Sequence, residues 1–78
     1  MGHFKDLETM IEILGLAIAR QESEEQFFRR SAQASSNDVA HSLFTEIADD
    51  MKEYVKNLEQ RKQKLLEALE ALTEAEKE

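Results

Sequence analysis

The sequence predicts an all-α fold in which two long antiparallel helices form a hairpin, and two such hairpins form a four-helix bundle. Helix-breaking residues are scarce, because the 78 residues include no proline and only two glycines. Charged residues make up 35% of the chain, a share typical of long helices when breakers are few. Apolar residues recur at alternating spacings of three and four in two segments, which one cluster of small polar residues separates. Together these features predict two helices joined by one turn.

The first helix is predicted over about 5–34, with ends placed to within a few residues. Its inward line follows the helical repeat and is apolar except between Gln21 and Glu25, where it becomes polar. The residues of this line are Phe4, Leu7, Ile11, Leu14, Ile18, Gln21, Glu25, Phe28 and Ala32. One apolar line with charged residues on the other faces is the pattern of a helix that packs on one side.

The turn is predicted at the stretch "ASSND", residues 34–38, which is the one cluster of small polar residues in the chain. Ser35, Ser36 and Asn37 are each suited to be the N-cap of the second helix, and Asp38 suits its first turn. The second helix is predicted over about 37–76. Its inward line is Phe44, Ile47, Met51, Tyr54, Leu58, Arg61, Leu65, Ala68, Leu72 and Ala75, widened by a flank of Ala48, Val55 and Leu69.

A connection this short makes the two helices antiparallel neighbours. Folding the chain about residue 36 brings the two inward lines together level by level. The pairs expected are Phe28 with Phe44, Gln21 with Met51, Leu14 with Leu58, and Leu7 with Leu65. Residues 1–78 are therefore predicted to form a single helical hairpin, which is half of a bundle. Residues 69–78 extend beyond the last of these levels and are expected to fray or to be covered by a partner chain.

Self-association is expected because a hairpin leaves each wide apolar line half uncovered. A chain of 78 residues is also too small for a strong core of its own, which at this size contributes only about 3–5 kcal/mol. A second copy would cover both lines and complete a four-helix bundle. The predicted dimer core is Leu7, Ile11, Leu14, Ile18, Phe28, Phe44, Ile47, Leu58 and Leu65.

Charge and composition exclude several classes of partner and site. The net charge is −7, with 17 acidic residues against 10 lysines and arginines, so we expect neither nucleic acid nor an anionic membrane as a partner. The longest apolar stretch, residues 13–19, is far too short to span a bilayer. The N-terminus lacks the apolar region of a signal peptide, so a cytoplasmic location is expected. The absence of cysteine excludes disulfides and thiolate metal sites.

Residues 12–59 carry two ordered groups of residues on the two predicted helices. The groups are Ala17-Ile18, Gln21 and Phe27-Phe28 on the first, and Leu43-Phe44, Glu46, Ile47-Ala48, Asp49-Asp50 and Met51-Lys52-Glu53-Tyr54 on the second. In this order, and without a gap, the segment resembles one helical hairpin of the rubrerythrin-like branch of the ferritin-like superfamily. The resemblance implies a ferritin-like four-helix bundle formed by two hairpins. It also implies a di-iron site, built in that family from a Glu and a Glu-x-x-His pair of each hairpin.

The resemblance fails at the positions that hold metal in that family. Gln21 stands at the position of the ligating Glu, and Met51 and Tyr54 stand at the positions of the Glu-x-x-His pair. Gln21 lacks the charge of a carboxylate, and the soft thioether of Met51 is a poor ligand for iron or manganese. The sequence therefore predicts a degenerate site at these three residues, with no metal, no cofactor and no catalytic residue.

Two functions remain open on this evidence. The first, which we favour, is a non-catalytic bundle protein that has lost its di-iron site and acts in self-assembly or in binding an unidentified protein partner. The second is a di-iron or manganese carboxylate oxidoreductase, or an iron-handling protein, with ligands remodelled from Glu22, Glu25, His41 or Tyr54. The simplest interpretation of Glu22 and Glu25 is a solvated helix edge, and His41 is expected on the surface near the start of the second helix. A plain antiparallel coiled-coil adaptor is a third, weaker interpretation.

Overall fold

The computed structural model describes the backbone of residues 2–77 and the side chains of residues 5–76. Helix α1 spans Gly2–Ala34 and helix α2 spans Asp38–Lys77. The described residues contain no strand, so the all-α prediction is confirmed at the level of a helical hairpin. Helix α1 begins about three residues earlier than predicted, because nothing in residues 3–5 breaks a helix. Phe4, which the sequence places on the inward line, lies outside the residues whose side chains are described.

The turn between the helices is closed by Asn37, which is the N-cap of α2. Its side-chain oxygen accepts hydrogen bonds from the backbone N–H of Val39 at 2.8 Å and of Ala40 at 3.1 Å. Its carbonyl oxygen accepts the first helical hydrogen bond of α2, from the N–H of His41. Of the three N-cap candidates in the sequence, Asn37 therefore has this role. Asp38 begins the helix, as predicted, where its charge complements the positive end of the helix dipole.

The C-terminal end of α1 is satisfied without a glycine. The described chain has no residue with positive φ, so the turn needs no left-handed backbone. The carbonyl oxygen of Ala32 instead accepts the backbone N–H of Ser35 at 3.2 Å and the ring Nδ1 of His41 at 2.8 Å. The hydroxyl of Ser35 donates to the carbonyl oxygen of Ser31. These contacts satisfy carbonyl groups that the end of a helix otherwise leaves free.

The contact between the helices is a narrow seam. The molecule is a rod with principal extents of 62 × 14 × 13 Å, so few side chains are far from solvent. Among the described residues the buried apolar side chains are those of Ala32, Ala48, Val55 and Leu58, and only Ala48 has no exposed surface. Alanine at this place lets the two helices approach closely.

The buried line of α2 is displaced from the predicted inward line. Ile47 and Tyr54 were expected to face inward, but they are 37% and 49% exposed. Ala48 and Val55, which the sequence places on a flank, are buried in their place. A single neighbouring helix covers only part of a wide apolar stripe, so the part centred on Ala48 and Val55 is buried in this hairpin. The uncovered part of the stripe, with Ile47 and Tyr54, faces solvent on one side of the hairpin.

The predicted pairing is seen next to the turn. The rings of Phe28 and Phe44 lie with their centroids 6.0 Å apart, and Phe27 packs edge-on against Phe28 at 5.3 Å. Edge-to-face and tilted contacts of this kind are the favourable geometries for aromatic rings. The contact between Phe28 and Phe44 thus sets the register of the two helices at the end of the hairpin near the turn.

Far from the turn, residues later in α2 share a groove with α1. Leu14 lies beside Arg61 and Leu65, which follow the predicted partner Leu58 in the chain. Leu7 likewise lies beside Leu72. In the segment from residue 69 onward, Leu72 therefore has neighbours in α1, because α1 begins as early as Gly2. Whether residues 69–78 fray stays a prediction.

Two ion pairs of Arg29 link residues of both helices. The Nε atom of Arg29 donates to Glu25 at 2.8 Å within α1, and its terminal nitrogen donates to Asp49 of α2 at 3.1 Å.

In the part of the chain that the structure describes, neither helix is long and apolar enough to cross a membrane.

Candidate functional site

One side of the hairpin carries an apolar groove between the helices, which we call the open groove. Its three stretches adjoin one another, because Met10 belongs to the first and second and Ile13 to the second and third. The first is lined by Asp6, Leu7, Met10, Ala68, Ala71 and Leu72, and the second by Met10, Ile13, Leu14, Arg61, Lys64 and Leu65. The third is lined by Ile13, Leu16, Ala17, Arg20, Gln21, Glu24 and Tyr54.

The open groove presents large apolar side chains to solvent. Met10 is 48% exposed, Ile13 57% and Leu16 73%, although all three are in a regular helix. Single exposed apolar residues are normal on any protein, but a contiguous apolar patch marks an interaction surface. The open groove carries such a patch, because these side chains recur along α1 and each lines one or two of its stretches.

The opposite side of the hairpin has a more polar character. Its groove is lined by Gly15, Ile18, Glu59, Lys62, Gln63 and Leu66, and it continues towards the chain end through Leu69, Glu70, Thr73 and Glu74. Charged and amide side chains interrupt the apolar ones at every level of this groove. The two sides of the rod therefore differ most along the first two stretches of the open groove, which are mostly apolar and have the composition of a protein interface core.

The structure brings two of the three degenerate-site residues together. Gln21 of α1 and Tyr54 of α2 line the same stretch of the open groove. Met51 is half-buried and, among the described residues, is not part of that lining. No side-chain nitrogen or oxygen in residues 5–76 is buried without a hydrogen-bond partner, so the Gln21 amide carries no burial penalty in a single hairpin.

The donor atoms at these positions do not fit the di-iron site that the resemblance implies. Gln21 offers a neutral amide oxygen, Met51 a thioether sulfur and Tyr54 a phenol, whereas iron and manganese in such bundles take carboxylates and imidazole. The three side chains together bring no negative charge to offset a divalent cation. We therefore assign no step of chemistry to a metal at this place.

The alternative ligands lie apart from one another. Glu22 is exposed, and Glu25 is half-buried and paired with Arg29 at 2.8 Å. His41 lies beside the turn with its ring on the Ala32 carbonyl, while Tyr54 lines the open groove. Among residues 5–76 of a single chain, no three histidine, aspartate or glutamate side chains are grouped as metal ligands would be.

The electrostatic environment of Glu25 is set by Arg29. The pKa of the Arg29 guanidinium is raised above its ordinary value, mainly by its hydrogen bond to Glu25 and next by its hydrogen bond to Asp49. Arg29 is therefore charged at every physiological pH, and it holds Glu25 as a partner in an ion pair. Glu25 therefore has a structural role, because it positions Arg29 for the ion pair with Asp49 of α2.

The part of the open groove that α1 contributes was not predicted from the sequence. Met10, Ile13 and Ala17 are spaced by three and four residues, which is the same helical repeat as the predicted inward line. The repeat predicts a second apolar line beside the first, and that signal was available in the sequence. Arg61, on the predicted inward line of α2, is exposed and lines the open groove beside Leu14 and Leu65.

The fold and its groove define the class of the protein, a two-helix hairpin with one uncovered apolar side. Compared with protein-family models, curated proteins and solved structures, the chain gives no significant match.

Proposed function

We propose that this protein is a non-catalytic self-assembly module in which two hairpins close their open grooves on each other. The product is a ferritin-like four-helix bundle of the rubrerythrin-like kind whose di-iron site has been lost. The open groove is the observation that supports this proposal, because it leaves Met10, Ile13 and Tyr54 in contact with water on one side of the hairpin alone. A second copy of the same groove offers the same apolar side chains and would cover them.

The size of the surface supports a specific dimer. A rod 62 Å long presents a side along which a second hairpin can lie for its whole length. Burial of the exposed Met10, Ile13 and Leu16 against a second copy would stabilise the dimer, because apolar area removed from water contributes ~25 cal/mol per Å². A homodimer is thus the state in which this sequence adds these side chains to its core.

The residues at the degenerate site suit a metal-independent bundle. Four glutamates and two histidines at the centre of two paired hairpins would repel one another without metal. Gln21 and Tyr54, which line the open groove, are neutral, as is Met51, so two hairpins can meet at this level without that repulsion. Their side chains fill the volume that metal and ligands would occupy, and the assembled bundle needs no cofactor.

The direct test is sedimentation equilibrium of the wild-type protein beside two matched variants. Ile13→Glu places a charge in the open groove, and Leu66→Glu places the same charge on an exposed leucine of the opposite side. We expect a wild-type dimer, a monomeric Ile13→Glu variant and a dimeric Leu66→Glu variant. A wild-type protein that stays monomeric at millimolar concentration would refute the proposal.

The metal-dependent alternative is tested on the same samples. Protein purified from cells grown with added iron is expected to contain no stoichiometric iron or manganese, and its melting temperature should not change with a strong chelator. Near-stoichiometric metal that is lost in a Glu25→Gln or Tyr54→Phe variant would favour the iron-handling function in place of the one proposed.

A further inference from the structure

The second stretch of the open groove combines an apolar lining with two cationic side chains and no acidic one. The cations are Arg61 and Lys64, and both are exposed. Among residues 5–76 neither is in an ion pair, because the ion pairs there involve Arg20 and Arg29. The chain as a whole has a net charge of −7, so this positive charge beside an apolar surface is a local feature of an acidic protein.

An apolar trough leads from these cations towards the chain termini. This terminal trough is the first stretch of the open groove, which shares Met10 with the second stretch and has Asp6 at its outer end. At ~1.5 Å of rise per residue, it extends roughly 16 Å along α2 from Arg61 to Leu72. The two stretches offer about 590 and 450 Å³ of space, which is the size of many small-molecule sites.

The groove on the turn side of the cations has a different character. Its third stretch contains Gln21, the hydroxyl of Tyr54 and the ion pair of Arg20 with Glu24, whose atoms are 3.7 Å apart. A hydrocarbon chain would meet polar groups there, whereas in the terminal trough it would meet alanine, leucine and methionine side chains. The groove is therefore asymmetric, with positive charge at one end of an apolar channel.

We propose that this part of the groove binds a fatty acid anion, with its carboxylate at Arg61 and Lys64 and its hydrocarbon chain along the terminal trough towards Leu72. A guanidinium donates two parallel hydrogen bonds to a carboxylate, and an ammonium adds a point charge. The hydrocarbon chain removes the exposed side chain of Met10 from water. The reverse orientation would bring the carboxylate to Asp6, which repels it.

Fatty acid binding also regulates self-assembly. The apolar side chains of the terminal trough are among those that a second copy of the chain would cover, so the ligand and the second copy compete for them. This regulatory consequence rests on the proposed self-assembly, whereas the binding itself does not. A fatty acid therefore shifts the protein from dimer to monomer.

Binding is tested through the methyl group of Met10, which lines both stretches of the site. The chain has three methionines, so carbon-13 labelling of their methyl groups gives a simple spectrum, and a Met10→Leu variant identifies the signal of Met10. Decanoate is added below its micelle concentration to protein dilute enough to sediment as a monomer. The Met10 signal should move and saturate at one ligand per chain, and that of Met51, outside the groove lining, should stay. A Met10 signal that does not respond overturns the proposal.

The two ends of the ligand are tested separately. Octanoate should bind several-fold more weakly than decanoate, because its shorter chain buries less apolar area. Decyltrimethylammonium has the same hydrocarbon chain with the opposite charge and should not saturate the site at decanoate's working concentrations. Equal binding of the cationic and anionic amphiphiles overturns the assignment of the carboxylate to this end of the groove.

The cations are tested by neutralising them. The double variant Arg61→Gln with Lys64→Gln should bind decanoate about tenfold more weakly, because two exposed ion pairs are lost. Lys52→Gln with Lys56→Gln removes the same charge from exposed positions outside the groove and should bind as the wild-type protein does. If both double variants bind with the same affinity, Arg61 and Lys64 do not hold the carboxylate.

Ligand binding and self-assembly fail separately in these experiments. A protein that is monomeric at every concentration, but whose Met10 signal responds to decanoate, refutes self-assembly and leaves the fatty acid site intact. A wild-type dimer whose dilute monomer shows no response refutes the site and leaves self-assembly intact. Sedimentation with saturating decanoate should show an increased monomer fraction, and a dimer that persists there overturns the competition.

Discussion

The ring Nδ1 of His41 lies 2.8 Å from the carbonyl oxygen of Ala32, so a side chain of the second helix caps the end of the first. A carbonyl oxygen can only accept, so the ring nitrogen carries the hydrogen. The last turn of α1 contains no basic residue of its own. The cap therefore ties the ends of both helices to one turn.

The first prediction is that His41→Ala destabilises the hairpin by about 1 kcal/mol, because it removes a hydrogen bond to a helix end. Urea unfolding followed by circular dichroism measures the change. Ser42→Ala, at the neighbouring exposed position, is the control and should be neutral. Equal stability of the wild-type and His41→Ala proteins would show that the contact contributes nothing.

The second prediction concerns the N-cap. Asn37→Ala leaves the N–H groups of Val39 and Ala40 without their acceptor, and it should cost about 1 kcal/mol of unfolding free energy. Asn37→Asp preserves the acceptor and should retain stability. If Asn37→Asp is as unstable as Asn37→Ala in the same unfolding experiment, the capping role is wrong.

The third prediction is a stabilising substitution. A Cβ at Gly15 would meet the Lys62 side-chain nitrogen at 3.7 Å, an ordinary contact with a flexible side chain. Gly15→Ala should therefore raise the unfolding free energy by about 0.8 kcal/mol, the difference in helix propensity between the two residues. Because Gly15 lies opposite the open groove, the dimer dissociation constant should change only through the stability of the monomer. A lower melting temperature would contradict this account.

The fourth prediction addresses the seam. Ala48 has no exposed surface, so Ala48→Leu forces the helices apart and should cost about 1–3 kcal/mol. Ala75→Leu makes the same change at an exposed position of α2 and is the control. Thermal unfolding of the two variants should separate them by several degrees. Similar melting temperatures would mean that the close approach at Ala48 is not a determinant of stability.

The fifth prediction restores the ligands of the resembled family. The triple variant Gln21→Glu, Met51→Glu and Tyr54→His should form a weaker dimer without metal, because its carboxylates repel at the bundle centre. It should bind iron or manganese, measured by elemental analysis and by a melting temperature that rises with added metal. A triple variant that binds no metal would argue against the family resemblance at these positions.

The sequence by itself determined the helices and the turn. With no proline and with apolar residues at helical spacing, local propensity and periodicity leave one arrangement of secondary structure, and the structure agrees to within a few residues. The pairing of Phe28 with Phe44 also followed from the sequence, because a turn of three residues fixes the level of the residues beside it. Such features depend on contacts that are close along the chain.

The tertiary structure alone decided which part of each apolar stripe is buried. The sequence shows the full width of the stripe on α2, but one neighbouring helix covers only the part centred on Ala48 and Val55. Ile47 and Tyr54 are consequently exposed on the side of Met10 and Ile13. That choice depends on the rotation of one helix against the other, which is set by side-chain packing along the whole seam and not by any local sequence signal. For the same reason, the open groove became visible only when both helices were in place.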